Sequence, residues 1–283
     1  MSQPSIETVR SHLIANPGEP FVLSARDTRD RTLFASKSDA EASLKKDAKA
    51  IAGLQELLLA NEDRALLVVL QGMDTSGKSG VIRRVFGKCS ALGVNVSAFK
   101  GPTKLELAHD YLWRIHQTVP RSGHIGIFDR SHYEDVLVVK VRNFAPAEMV
   151  EQRYDQINAF EQLLSENKVK ILKFMLNVGY DEQGDRLRDR LHTEDKRWKF
   201  NPGDLEDRKL FPQFMDAYET AVDRCSTPHA PWYIVPADSR TRRNAMIARV
   251  VRGALEDMEL TWPNPDLKSE SEYDFGPETI EGS

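Results

Sequence analysis

One junction restricts the fold of this chain more than any other feature. The aliphatic run Ala65-Leu-Leu-Val-Val-Leu70 leads through Gln71 into the uninterrupted pattern Gly72-Met-Asp-Thr-Ser-Gly77-Lys78-Ser79, and an amphipathic segment leaves it. A buried strand, a glycine loop and a helix start in that order form a phosphate cradle. The glycines let main-chain amides curl inward as an anion nest, and the helix N-terminus adds partial positive charge. In this reading Gly72, Thr75, Ser76, Gly77, Ser79 and Gly80 wrap the anion. Lys78 supplies a point charge, and the Ser79 hydroxyl faces a magnesium ion. A plain glycine-rich turn accounts for the loop but not for both of its flanks.

The rest of the chain repeats the alternation. Short apolar runs at 94–99 (VNVSAF), 125–128 (IGIF), 170–176 (KILKFML) and 232–235 (WYIV) read as further buried strands. Helices are expected between them. Ser38-Asp-Ala-Glu41 reads as a capping box ahead of an apolar face formed by Leu44, Ile51, Leu54 and Leu58. A second helix is expected from Gly77 to near Gly93. A third follows the box Thr103-Lys-Leu-Glu106, and a fourth opens at Pro146. The pattern implies an α/β domain with a five-stranded parallel sheet covered on both faces. Residues 178–230 are too long for a simple crossover and read as helices inserted over the site. Three segments result: an irregular arm at 1–37, a main domain at 38–262 with lid helices near 181–210, and an acidic, flexible tail at 263–283. The stretch from Asn264 to Ser283 holds six acids and one lysine.

The strand at 125–128 runs into Asp129-Arg130-Ser131. Ligands of parallel sheets gather at the carboxyl ends of strands, so Asp129 is expected near the loop as a metal carboxylate and Arg130 as a clamp on phosphate oxygens. Asp74 places a carboxylate inside the loop itself. It is either a second metal ligand or a turn former bonded to its own backbone. Between 186 and 199 there are six basic and three acidic residues. Arg186 and Arg190, spaced i and i+4, share a helical face, while Arg188 points about 160° from Arg186. The run is either a solvated helix or a lid that closes on phosphate.

Composition removes other classes. With 39 basic and 43 acidic residues the net charge is -4, which gives no bulk attraction to nucleic acid or to a membrane surface. The longest purely aliphatic run, Ala65 to Leu70, is far short of a span, and the first thirty residues show no export signal. Cys89 and Cys225 fit no zinc or redox spacing and read as reduced thiols of a cytoplasmic protein.

Five segments taken in order resemble the polyphosphate kinase 2 family: GMDTSGKSG (72–80), FKGPT (99–103), FDRSHYEDVLV (128–138), DRLRDRLHTEDKRWKF (185–200) and APWYIVPAD (230–238), within a resemblance running from about Ala40 to about Met258. It implies a P-loop kinase-like three-layer α/β/α sandwich with a helical lid, Mg2+ (with Mn2+ as the alternative), and homo-oligomers, dimeric or tetrameric. It also implies reversible transfer between inorganic polyphosphate and purine nucleotides, AMP and ADP or GMP and GDP. Carried over by position, Asp74 and Asp129 hold metal, Lys78 and Arg130 stabilise the transferred group, and Arg186 and Arg190 are lid arginines. Lys100 and Lys104 are candidates for a polyphosphate channel, and Glu134 and Asp135 for nucleotide binding. Glu134 resembles the subgroup that accepts both mono- and diphosphates. Two other readings stay open: an ATP-dependent nucleoside monophosphate kinase, and a non-catalytic phosphate-binding scaffold.

Overall fold

A computed structural model describes residues 3–267 and 273. Ten α-helices and six strands occur among them in the order α1 (Ile6–Leu13), β1 (Ile14–Ala15), α2 (Lys37–Asn61), β2 (Ala65–Gln71), α3 (Lys78–Val85), β3 (Val94–Ala98), α4 (Trp113–His116), β4 (Ile125–Asp129), α5 (Val138–Val141), α6 (Ala147–Glu166), β5 (Val169–Asn177), α7 (Tyr180–His192), α8 (Gly203–Lys209), α9 (Phe211–Cys225), β6 (Trp232–Pro236) and α10 (Arg240–Glu256). The five apolar runs are all strands; in four of them residues such as Leu66–Leu70 and Ile171 are shielded on both faces, while β3 lies mostly exposed at the sheet edge. The sheet order is β1-β6-β5-β2-β4-β3. Five strands are parallel, and β2 lies between β4 and β5.

The sheet departs from the expected five parallel strands. A sixth, β1, pairs antiparallel with β6 through Ile14–Tyr233 and Ala15–Trp232. The arm read as irregular therefore contains α1, capped by Ser5, with Val9 and Leu13 buried. Its tie continues through Arg26, whose guanidinium donates to the carbonyls of His12 and Ile14. Of the tail read as flexible, all but 263–267 and 273 lies outside the described residues.

Helix ends also shifted for local reasons. The cap of α2 is Ser36, whose hydroxyl accepts from the Asp39 amide at 3.0 Å, so Ser38 lies inside the helix. The helix α3 stops at Val85 instead of running to Gly93. The box Thr103–Glu106 forms in both directions, yet it opens a single 3-10 turn. Leu105 and Leu107 there are exposed, so no apolar face was available to continue the helix. The helix after Pro146 matches expectation and buries Val150, Ile157, Phe160 and Leu164.

Helices α2, α3 and α10 pack together, with α10 touching β5 and β6; α5, α6 and α9 form a second group, with α6 touching β5. The inserted region is only partly a cover: α9 buries Phe214, Ala217, Tyr218 and Val222 in the core. Among the described residues no helix is long and apolar enough to cross a membrane.

Candidate active site

Strand β2 delivers the glycine loop to the carboxyl edge of the sheet. Gly72 (φ +148°) leaves the strand where a Cβ would stand 2.8 Å from the Leu176 carbonyl oxygen, so only glycine lets the chain pass β5. Thr75 adopts φ +66°, a left-handed conformation rare for a β-branched residue, and Gly77 (φ +105°) caps α3. Inside the curve, Lys78 is 7% exposed and its Nζ donates to the Gly72 carbonyl at 2.8 Å. Burial lowers its pKa, with a further push from Arg130, while Asp74, Asp129 and Glu134 pull the other way. The buried Ser76 hydroxyl has no hydrogen-bond partner among the described residues.

The end of β4 meets this loop as the sequence implies. Ser79 Oγ lies 3.4 Å from Asp129 Oδ2. Arg130 follows at φ +66° with its amide on the Leu70 carbonyl, and its guanidinium bridges two acids. Nη2 donates to Asp74 Oδ1 at 2.6 Å and Nη1 to Glu134 Oε2 at 3.0 Å. Glu134 also accepts from Gln71 Nε2 at 2.9 Å. Burial alone raises the Asp74 pKa, but Arg130 and Lys78 outweigh it and the net shift is downward. Glu134 above all, and Asp74 after it, raise that of Arg130. Asp74 is therefore a partner of Arg130 rather than a carboxylate aimed unopposed at substrate. A small cleft opens beside these groups, bounded by Gly72, Asp74, Arg130, Glu134, Asp207 and Tyr218. A separate cavity of about 310 Å³ lies under the arm near His12, Arg26 and Asn177 and shares no residue with the cleft.

Beneath the turn carrying Arg130 sits a fully buried ionic network. Lys173 Nζ donates to Glu161 Oε2 (2.6 Å), Tyr133 Oη (2.8 Å) and the Cys225 carbonyl (2.6 Å). His132 and Tyr133 also meet Glu161 Oε1, at 3.1 and 2.9 Å. The Lys173–Glu161 pairing makes such a group tolerable in the interior, although His132 Nδ1 finds no partner among the described residues, and it fixes the 3-10 turn 132–135 from below.

The two arginines expected on one face of the lid have different addresses. Arg186, 5% exposed, sits behind the loop. Its Nη1 donates to the carbonyls of Thr75 and Ser76 (3.0 and 3.2 Å), and its Nη2 to those of Ala237 and Asp238 (2.7 and 2.9 Å). Arg190 remains on the cleft side, 3.2 Å from Asp204 Oδ2. Burial raises the Asp204 pKa to about 6, and Asp74 adds to the shift. Asp135 turns away to Arg153 at 3.2 Å, and Lys100 and Lys104 lie exposed on the surface. The structure thus gathers Asp74, Lys78, Ser79, Asp129, Arg130, Glu134 and Arg190, while Asp135 is paired with Arg153 and Lys100 and Lys104 are solvent-exposed.

Sequence reasoning passed over Gln71, Asp204 and Arg243. Arg243 is 2% exposed and donates to the Ser76 carbonyl at 2.7 Å. The signal was the basic run Arg240-Thr-Arg242-Arg243 just past the end of β6, at the same carboxyl edge as the loop.

Known proteins resemble this chain over most of its length. The family described as Polyphosphate kinase 2 matches residues 34–263. The AMP/ADP-polyphosphate phosphotransferase of Meiothermus ruber is 45% identical over 255 residues, spanning 90% of this chain and 96% of that protein. The ADP-polyphosphate phosphotransferase of Rhodopseudomonas palustris is 35% identical, over 87% of this chain and 89% of that one. The crystal structure of Polyphosphate Kinase 2 from Arthrobacter aurescens TC1 superposes with a TM-score of 0.90 at 39% identity, covering 96% of each chain. The glycine loop, the strand-end Asp129-Arg130 pair and these full-length likenesses lead to one assignment: the chain belongs to the polyphosphate kinase 2 family.

Proposed function

We propose that this protein transfers phosphoryl groups reversibly between inorganic polyphosphate and purine nucleoside mono- and diphosphates, AMP and ADP foremost. The observation that carries the proposal is the Asp74–Arg130–Glu134 bridge, set beside the buried Lys78 and the glycine loop. One cation on each side of the transferred group, Arg130 held by the two acids and Lys78 by the Gly72 carbonyl, suits a reaction whose catalysis is mostly positioning and charge stabilisation. The names of the relatives supply the substrates.

In the forward direction, an oxygen of the nucleotide's terminal phosphate bonds to the last phosphorus of the polyphosphate. The bond from that phosphorus to its bridging oxygen breaks, and the shortened chain leaves with the electron pair. Lys78 offsets charge on the donor side, and Arg130 draws the transferred oxygens toward the acceptor. Arg190 reaches the same region once it parts from Asp204. Arg186 acts through the loop whose carbonyls it holds, as a positioning residue.

Magnesium fits the residues present. Asp129 and the adjacent Ser79 hydroxyl are hard oxygen donors, and among the described residues no cluster of three His, Cys, Asp or Glu forms a closed metal cage. That is the donor set of an ion held mainly by phosphate oxygens and water. The bound ion would neutralise phosphate charge, with Asp74 joining if it releases Arg130. We read α7 and α8 as the lid of an α/β/α P-loop scaffold, and the protein as cytoplasmic. Val96 is half exposed on the open edge strand β3, which supports a homo-oligomer, dimeric or tetrameric, to be sized by light scattering.

The test is direct: purified protein, Mg2+, polyphosphate and AMP, ADP, GMP or GDP in turn, with products separated by chromatography. Formation of the next higher phosphate is expected, and EDTA should abolish it. Turnover with ATP as donor and none with polyphosphate would replace this reading by an ordinary nucleoside monophosphate kinase.

A further inference from the structure

Arg243 is a buried cation without an acid. Its Nη1 donates to the Ser76 carbonyl, and Nε and Nη2 both donate to Asn244 Oδ1, at 3.1 and 2.9 Å. Its charged neighbours are Arg186 and Arg240, which share its sign. Among the described residues no carboxylate lies within ion-pair distance of it. Two other buried cations do meet an acid, Arg249 with Asp47 at 2.8 Å and Lys173 with Glu161 at 2.6 Å, while Arg242 is held by the carbonyls of Phe34 and Ala35. An unpaired interior charge is costly, and a neutral side chain of similar volume is often tolerated as well or better.

The location of the charge explains what it is for. A Cβ on Gly77 would stand 2.0 Å from Arg243 Nη1, and one on Gly80 would stand 3.2 Å from Nη2. The guanidinium therefore lies flat against the start of α3, on the far side of the wall that forms the anion nest. Lys78 and Arg186 bring two more buried cations to the same loop. Three positive groups around one curl of backbone, one of them lacking any acidic partner, leave a local surplus that a polyanion in the loop would offset.

We propose that Arg243 is a positioning and counter-charge residue of the phosphate loop. Its unneutralised charge is balanced by the polyphosphate tail held by residues 72–79, and its bond to Ser76 fixes the wall of the loop without touching the tail. The proposal rests on the loop being the polyphosphate site.

The test uses the whole chain and sodium tripolyphosphate as the probe, with Kd from calorimetry and melting curves with and without the probe. Arg243→Met and Arg243→Gln should melt, ligand-free, at or above the temperature of the unaltered chain. Both should bind tripolyphosphate about tenfold more weakly or worse, as expected for one lost charge at short range in a partly buried site. Arg243→Lys should retain most of the affinity. Gln keeps an N–H for the Ser76 carbonyl, so it separates hydrogen bond from charge even if the Met variant does not fold. A Gln variant that binds like the unaltered chain overturns the proposal. So does a ligand-free melting temperature that falls while the affinity stays constant, the mark of a purely structural arginine. If the unaltered chain binds no tripolyphosphate, the reading of the loop fails first, and this one with it.

Discussion

Replacing Arg186 separates a scaffold arginine from a mobile lid arginine. Its guanidinium holds four main-chain carbonyls, those of Thr75, Ser76, Ala237 and Asp238, and its Nε meets Glu182 at 2.8 Å. In Arg186→Ala the Ser76 carbonyl keeps Arg243, but the other three lose this donor. At about 1 kcal/mol net for each stranded acceptor, the loss is about 3 kcal/mol. A domain of this size gives up about 2–4 °C per kcal/mol, so the melting temperature should fall by about 6–12 °C. Arg188 offers an internal control, since it is exposed and paired with the equally exposed Asp185. Arg188→Ala should move the melting temperature by less than about 2 °C and leave kcat unchanged. Activity should follow the scaffold: once the carbonyls are released, the loop amides lose their aim, and kcat for polyphosphate with ADP should drop by about 100-fold. Calorimetric melting and steady-state kinetics on both variants decide the matter. Equal effects of the two substitutions would refute the reasoning. A loss of kcat in Arg186→Ala without any fall in melting temperature would also refute it, because the arginine would then serve the substrate and not the wall.

Other perturbations follow from the same geometry. Lys78→Ala and Asp129→Asn should each lower kcat by about 1000-fold while their melting curves stay cooperative, and a variant with near-normal kcat would remove its residue from the site. Glu134→Asn takes away the carboxylate that holds Gln71 and Arg130 and should lower kcat/KM for AMP relative to ADP about tenfold, or ~1.4 kcal/mol; an unchanged ratio would leave Glu134 without a part in acceptor choice. Asp204 has a folded pKa raised to about 6, so the folded state favours its protonated form. Its contribution to stability is full below the ordinary aspartate range and is lost as pH climbs through about 6. Melting temperatures of Asp204→Asn minus the unaltered chain should therefore be more favourable at about pH 7.5 than at about pH 4.5, and a constant difference would contradict the shift.

Much of this could be read before any coordinates, and the failures have physical causes. Apolar runs bounded by turn residues located five strands; four are buried on both faces and leave a continuous signature, whereas β3, at the sheet edge, is mostly exposed. The two residues of β1 leave no such mark within a polar arm. The Thr103–Glu106 box was real, but a cap cannot sustain a helix whose next turns have nothing to pack against. At the site, Gly72–Ser79 and Asp129-Arg130 were legible because loop and strand end are local patterns. The i, i+4 argument placed Arg186 and Arg190 on one side of α7, about 40° and one helical rise apart, and that offset sends one to the loop wall and the other to Asp204. Arg243 lies 167 positions from Ser76, and no spacing rule connects them.

The stretch matched by the family model and the stretch that completes the sheet are not the same length. The family match begins at residue 34, after β1. A chain cut there would leave the outer main-chain donors and acceptors of β6 (Trp232–Pro236) open to another molecule, since Ile14 and Ala15 now cover them. The same cut would strip Asp238 of Thr28 and Arg29, next to the carbonyl held by Arg186. Residues 3–33 thus act as a hem on the sheet: trimming to the stretch matched by the family model would yield a stickier protein, inclined to grow edge to edge.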